Sequence, residues 1–214
     1  MRDTTFTRGA LTDPTPRLDS IPGQEHAKRA LQVALVGGHS IILSATADSM
    51  ANALGRAAHA VAERLDLPCR MRVYPACPCG YYSHPRTDCR CTAGKIQRHV
   101  DKLQHDKPYD IYVPMGPLPA RTSAQESDED YAGRVTAARA NTRPGDTLRT
   151  DVAEFLRHAQ TELEHLTAAT VVPLAQTIAQ MAGEDHICLE HLSEAVQYVA
   201  YAPVGDVRDW EREE

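Results

Sequence analysis

Aromatic residues are scarce in this 214-residue chain, which has one Trp, two Phe and eight Tyr. A core with so few rings has to rest on Ala, Leu, Val and Ile, a composition that suits packed helices. No apolar run approaches the roughly 18 residues needed to span a bilayer, which excludes a membrane-spanning helix. The first 19 residues hold neither an apolar leader core nor a small-residue cleavage site, so the expectation is a chain that is not exported and works in the cytoplasm. An excess of positive charge is missing too. The 23 Lys and Arg face 29 Asp and Glu, a net charge of −6, which argues against wholesale coating of nucleic acid while leaving room for a local basic patch. Between His158 and Val207 there is no Lys or Arg at all.

The rest of the composition is ordinary. Apolar residues make up 42% and charged residues 24%, as in a soluble globular protein, and the length fits one medium domain or two small ones. Residues 1–19 mix Thr, Pro, Arg and Asp without periodicity and read as a flexible tail. From Gln24, apolar residues recur at helical spacing (Ala27, Ala30, Leu31, Ala34, Leu35) up to Gly37-Gly38, which predicts an amphipathic helix with a glycine stop. Residues 40–44 read as a buried strand, and 48–65 as a second helix capped by Asp48 or Ser49. Residues 70–74 and 110–113 read as further strands, with a helix between them from Thr92 to about Leu103. Residues 114–127, rich in Pro, Ser and Ala, are the best linker candidate. Four helices follow, at about 128–141, 150–166, 168–182 and 189–201, with Pro173 expected to kink the third or delay its start, and 202–214 left as a tail. The reading is a small α/β unit at 20–113 followed by a helical unit at 128–201.

The sharpest chemical signal is the stretch CPCGYYSHPRTDCRC within a loop at 75–91. Cys77 and Cys79 form one close pair, Cys89 and Cys91 another, and two such pairs can surround a Zn²⁺ ion tetrahedrally. Gly80 allows a sharp turn beside the first pair, and His84 is available as a substitute ligand. The alternative is a loop of free or disulfide-bonded cysteines. A closed four-cysteine site has no open coordination position, so it holds a loop together and performs no catalysis.

Other spacings are weaker. His158, Glu162 and His165 fall on one helix face, and His186, Cys188 and His191 have metal-like spacing, but both sets read more simply as surface or capping residues. Six Lys and Arg (Arg86, Arg90, Lys95, Arg98, Lys102, Lys107) stand against three Asp between residues 86 and 107. Lys95, Arg98 and Lys102 lie on one helix face, which is either a solvated face or a phosphate-contacting one.

Several stretches carry a resemblance. The run PCPCGYY followed by CRCT and IQR resembles the cysteine loop of magnesium-chelatase-like AAA+ ATPases of the ComM type. IPGQEHAKRALQVALVGGHS near the start, ES followed by RVTAAR at 126–139 and AQTIAQMAGEDHICLEHLSEAVQY at 175–198 resemble the same family in the same order. Together they span most of residues 20–201. The resemblance implies a truncated AAA+, P-loop-NTPase-like α/β core with a cysteine-rich loop and an all-helical C-terminal lid. It also implies assembly into rings and ATP-driven work on branched DNA. Gly23 and Gln24 fall in the stretch that contacts adenine in that family.

Departures from the family pattern point away from catalysis. A phosphate-binding loop needs glycines whose N–H groups wrap the phosphates, a Lys for the β- and γ-phosphates and a Ser or Thr for Mg²⁺. Residues 44–52 hold no Gly and no Lys. Ala51 stands where the lysine belongs and Asn52 where the hydroxyl belongs. Asp48 adds a negative charge near the phosphate position, where two like charges about 4 Å apart repel by roughly 4 kcal/mol. The acidic strand expected between residue 65 and the cysteines looks deleted. Pro75 replaces a polar sensor, Lys107-Pro108-Tyr109-Asp110 stands in the arginine-bearing segment, and Gln176 sits where a lid arginine is expected. The expectation is a pseudo-ATPase, a binding or scaffolding module that forms homo-oligomers or joins an intact relative. The alternative is an ATP-binding protein acting on DNA beside an intact partner subunit.

Overall fold

A run of three fully buried residues, Ile41, Ile42 and Leu43, fits a strand covered on both faces, and that strand is the centre of the sheet. The computed structural model describes residues 4–5, 16–82, 84–104, 109–118, 126–163 and 165–200. Its sheet contains β1 (Thr4–Thr5), β2 (Ile41–Ala45), β3 (Met71–Pro75) and β4 (Ile111–Met115) in the order β1-β3-β2-β4. β3 and β4 flank β2 and run parallel to it, while β1 pairs antiparallel with β3. Parallel neighbours need crossover helices. α2 (Ala51–Arg64) connects β2 to β3, and α3 (Ala93–Gln104) lies between β3 and β4. The register of β2 on β4 is pinned at its start by Asp110, whose carboxylate accepts from both the amide and the hydroxyl of Ser40 at 2.7 Å.

α1 (Glu25–Gly37) is more enclosed than an amphipathic surface helix. Every residue from Ala30 to Val36 is buried, including Gln32. It is covered by the sheet and by α4 (Asp128–Ala140) and α6 (Ala168–Ala182). The stop is the expected one: Gly38 has φ 71°, and its amide closes onto Ala34 O. Gly37 is required by space, because a Cβ there would run into the His39 ring and the Thr177 hydroxyl of α6. Arg139 of α4 supplies the cation that the end of α1 lacks, donating to the carbonyls of Leu35 and Val36.

The helical half contains α4, α5 (Thr150–Glu162), α6 and α7 (Leu189–Ala200). Ser127 caps α4 by accepting from the Asp130 amide, and three acids in its first turn face the positive end of the helix. Thr167 and Thr170 form a capping box on α6. Pro173 lies inside α6, which begins five residues earlier, so the proline does not delay the helix. Tyr131 of α4 is fully buried and donates its hydroxyl to Lys28 O of α1. One apolar cluster runs from Leu18 through the sheet to Val199, so the two halves share a core.

Three expectations need correcting. The segment read as a free tail contributes to the fold, since Thr4–Thr5 pairs with β3 and Leu18 is buried in a 3-10 turn. Met50, not Asp48 or Ser49, is the N-cap of α2, with φ 56° and no side-chain cap, because Asp48 is held elsewhere. Residues 114 and 115 belong to β4, not to a linker, and Met115 is buried. Most of the remaining linker (119–125), Lys107 and Pro108, and the tail at 202–214 lie outside the described residues. No helix among the described residues is long and apolar enough to cross a membrane. The chain is a mixed α/β protein with a small parallel sheet and, among the described residues, seven α-helices.

Candidate metal centre

The loop leaving β3 turns back at once. The amide of Gly80 donates to Cys77 O, and Gly80 has φ 80°, a conformation that favours glycine. That turn places Cys77 and Cys79 side by side with their sulfurs 3.4 Å apart. The chain returns through Cys89, whose sulfur lies 3.6 Å from each of them, and Cys91 completes a set whose four sulfurs all lie within 4.8 Å of one another. Cys77 is buried and the other three are half-buried. All four are free thiols, far beyond the about 2.05 Å of a disulfide. A tetrahedral zinc–thiolate centre with bonds of about 2.3 Å has edges of about 3.8 Å, close to the separations seen.

The surroundings favour the thiolate at Cys79 and oppose it at Cys89 and Cys91. Amides of Tyr81 and Arg90 point at the Cys79 sulfur and pull its pKa down to about 6. The Cys91 amide donates to Cys89 Sγ, and the Cys79 amide faces Cys91. Burial pushes Cys89 up to about 12 and raises Cys91. Amides around the sulfurs are the second layer that orients ligands in a thiolate site. Four convergent sulfurs with these donors could bind a metal such as zinc. With all four as ligands no coordination position is left for a substrate.

His84 is not placed as a ligand. Its Nδ1 accepts from the Arg86 amide, so Nε2 carries the proton and donates to the carboxylate of Asp48, 3.1 Å from each oxygen. Hydrogen bonding to His84 holds the Asp48 carboxyl below its ordinary range. This pair was not legible in the sequence, because the partners lie 36 positions apart and share no motif.

The turn between β2 and α2 is closed on itself and on the cysteine loop. The Thr46 amide donates to Met115 O, the Ala47 amide to Gly80 O, and the Ser49 amide and hydroxyl to Thr46 O. Ala51 is buried and Asn52 exposed at the start of α2. Gly23 and Gln24 both have left-handed backbone, and the Gln24 side-chain Nε2 donates to Gly116 O at 2.9 Å and, more weakly, to Ser49 O.

The remaining sequence candidates separate. Lys95, Arg98 and Lys102 are all exposed on α3, with Arg98 Nε donating to Gly94 O. His158, Glu162 and His165 do not share a helix face, because α5 ends at Glu162 and His165 turns to Val199 O. Cys188 and His191 form a helix cap, in which His191 Nδ1 accepts from the Cys188 amide just before α7. His186 is bonded to Asp185 instead. No family model matches the chain, and no curated protein matches it.

Proposed function

We propose that the chain is a shortened, degenerate relative of the magnesium-chelatase-like, ComM-type AAA+ proteins, and that it acts as a non-hydrolysing binding or scaffolding module. On this reading β2, the following turn and α2 are the remnant of a phosphate-binding loop, α4–α7 are the lid, and Cys77, Cys79, Cys89 and Cys91 hold one structural zinc ion. The observation that carries it is the state of the β2–α2 turn. The amides of Thr46, Ala47 and Ser49 are spent on Met115, Gly80 and Thr46, so they are not free to wrap a phosphate. Asp48 adds negative charge, and no lysine reaches the turn from Ala51. Catalysis of phosphoryl transfer rests on positioning and on cations that neutralise developing charge, and loss of one such group costs about 10²- to 10³-fold. Gln24, in the adenine-contacting stretch, has its amide committed within the protein, which argues for weak nucleotide binding at most. Its partners would be further copies of itself or an intact relative whose ring it joins or caps.

The test is steady-state phosphate release by the purified protein, with and without DNA, alongside elemental analysis. We expect no turnover above background, and one zinc per chain. Turnover near about 10 s⁻¹, an ordinary enzyme rate, overturns the non-hydrolysing reading.

A second reading keeps ATP and DNA, with the chain serving beside an intact partner subunit. The exposed row Lys95, Arg98 and Lys102 favours it. If that row contacts phosphates, DNA affinity falls steeply with salt and charge reversal abolishes it.

A further inference from the structure

We propose that the cysteine loop is an internal ligand of the β2–α2 turn, so that metal in the four-cysteine site keeps the turn closed and metal loss releases it. The inference rests on the reading that these cysteines hold a metal. Contacts join the two segments at three points. Gly80 O, one residue from Cys79, accepts the Ala47 amide at 2.9 Å. The Gly80 backbone lies so close that a Cβ added to it would stand 3.3 Å from the Ala47 methyl. His84 then donates to Asp48, and Arg86 Nη2 lies 3.9 Å from the same carboxylate. The His84 side chain is only 3% exposed, so the contact is seated and not a loose surface pair.

The loop has little buried apolar surface to hold it in place. Among the described residues from Pro78 to Lys95, Gly80 is the one residue buried as a whole, beside the enclosed His84 side chain. A segment with so little buried apolar surface has no core of its own, and a cross-link through a metal supplies the order that packing does not. The position of Gly80 O follows from the turn that pairs Cys77 with Cys79, so it is set by what those sulfurs bind. The turn itself is an uncapped helix start, with Met50 in a left-handed conformation. Release of the loop would free the Ala47 amide and the Asp48 carboxylate together. α6 and α7 lie outside this circuit, since among the described residues the apolar cluster that packs them includes no residue of the loop from 77 to 91.

Hydrogen exchange on the full-length protein tests the coupling, after the zinc content has been measured. Stripping the metal with a chelator should accelerate exchange of the Ala47 amide at least about tenfold, leave α6 and α7 protected, and be reversed by added zinc. In the loaded protein, His84→Ala should keep one zinc per chain and still loosen Ala47 several-fold, by removing the second contact. Zinc that leaves with no change at Ala47 overturns the coupling and spares the metal site. Exchange that rises everywhere at once also overturns it, because the effect would then be global unfolding. Protein isolated without metal refutes the metal reading, and the coupling falls with it.

Discussion

The helical half and the cysteine loop are ordered by different means. α4, α6 and α7 bury Tyr131, Val135, Leu174, Ile178, Leu192 and Tyr198 at 2% exposure or less, and side-chain caps close the starts of α4 and α6. Buried apolar surface of that kind is worth about 25 cal/mol per Å² and needs no added component. The cysteine loop buries one cysteine, one glycine and the His84 side chain, and its contacts are four clustered sulfurs, a handful of amides and the links from Gly80, His84 and Arg86 to a neighbouring turn. The same chain therefore holds a region ordered by its own packing and another that, on the proposal above, is ordered by what its thiols bind.

The comparison breaks most visibly at Cys77. On the proposal that the four cysteines hold zinc, Cys77→Ser removes the buried ligand, and at structural sites metal-binding free energy is folding free energy. We expect the variant to lose its zinc and to be cut by trypsin after Arg86 and Arg90 at least about tenfold faster, since cleavage follows the population of the open form. Far-ultraviolet helicity should barely change. Unchanged cleavage in a metal-free variant would show that the loop is ordered without its ion.

The opposite lesion lies in α7. Leu192 is fully buried, and Leu192→Ala should cost about 2–5 kcal/mol. In a domain of this size that lowers the melting temperature by on the order of 5–20 °C. The loss should be the same with and without a zinc chelator, because Leu192 belongs to the intrinsic half. A chelator-dependent loss would mean that the two regions unfold as one unit.

What was legible in the sequence follows the same division. The helices of the C-terminal half could be read because apolar periodicity and caps are local signals: Gly183 stops α6 with φ 74°, and Thr167 starts it. The cysteine cluster could be read because few residue types do that chemistry and their pairing survives in the spacing. Non-local partners could not. Asp48 was read as a cap for α2, but a histidine far along the chain takes it. Leu18 falls in a segment whose mix of Thr, Pro, Arg and Asp shows no periodicity and reads as tail, yet it is buried and its amide reaches Asp128 of α4. His158, Glu162 and His165 match a helical face only if α5 continues, and it ends at Glu162. The proposed kinship with AAA+ proteins rests on motif order along the chain alone.

The smallest expected effect sharpens the comparison from the intrinsic side, at His39, where α1 meets α6. Thr177 Oγ1 donates to Pro173 O, so toward His39 it accepts, and the imidazole bears its proton on Nε2, 2.8 Å away. Burial lowers the His39 pKa from its ordinary value of 6.5; nearby Asp110 opposes the shift and Arg143 adds to it. The native state therefore favours the neutral ring more than the unfolded chain does. Above about pH 6.5 neither state is charged and the stabilisation is complete. As the pH falls through 6.5 toward the lower native value, the unfolded chain takes up the proton first and stability is lost. His191, also lowered by burial, adds to the slope in the same direction. His39→Gln retains a donor for Thr177 and removes the titration. Melting temperatures at about pH 7.5 and about pH 5 should therefore fall less in the variant than in the parent, with metal competition at the cysteines common to both. Equal falls in the two proteins would show that His39 titrates alike folded and unfolded, and that its contact with α6 carries no pH dependence.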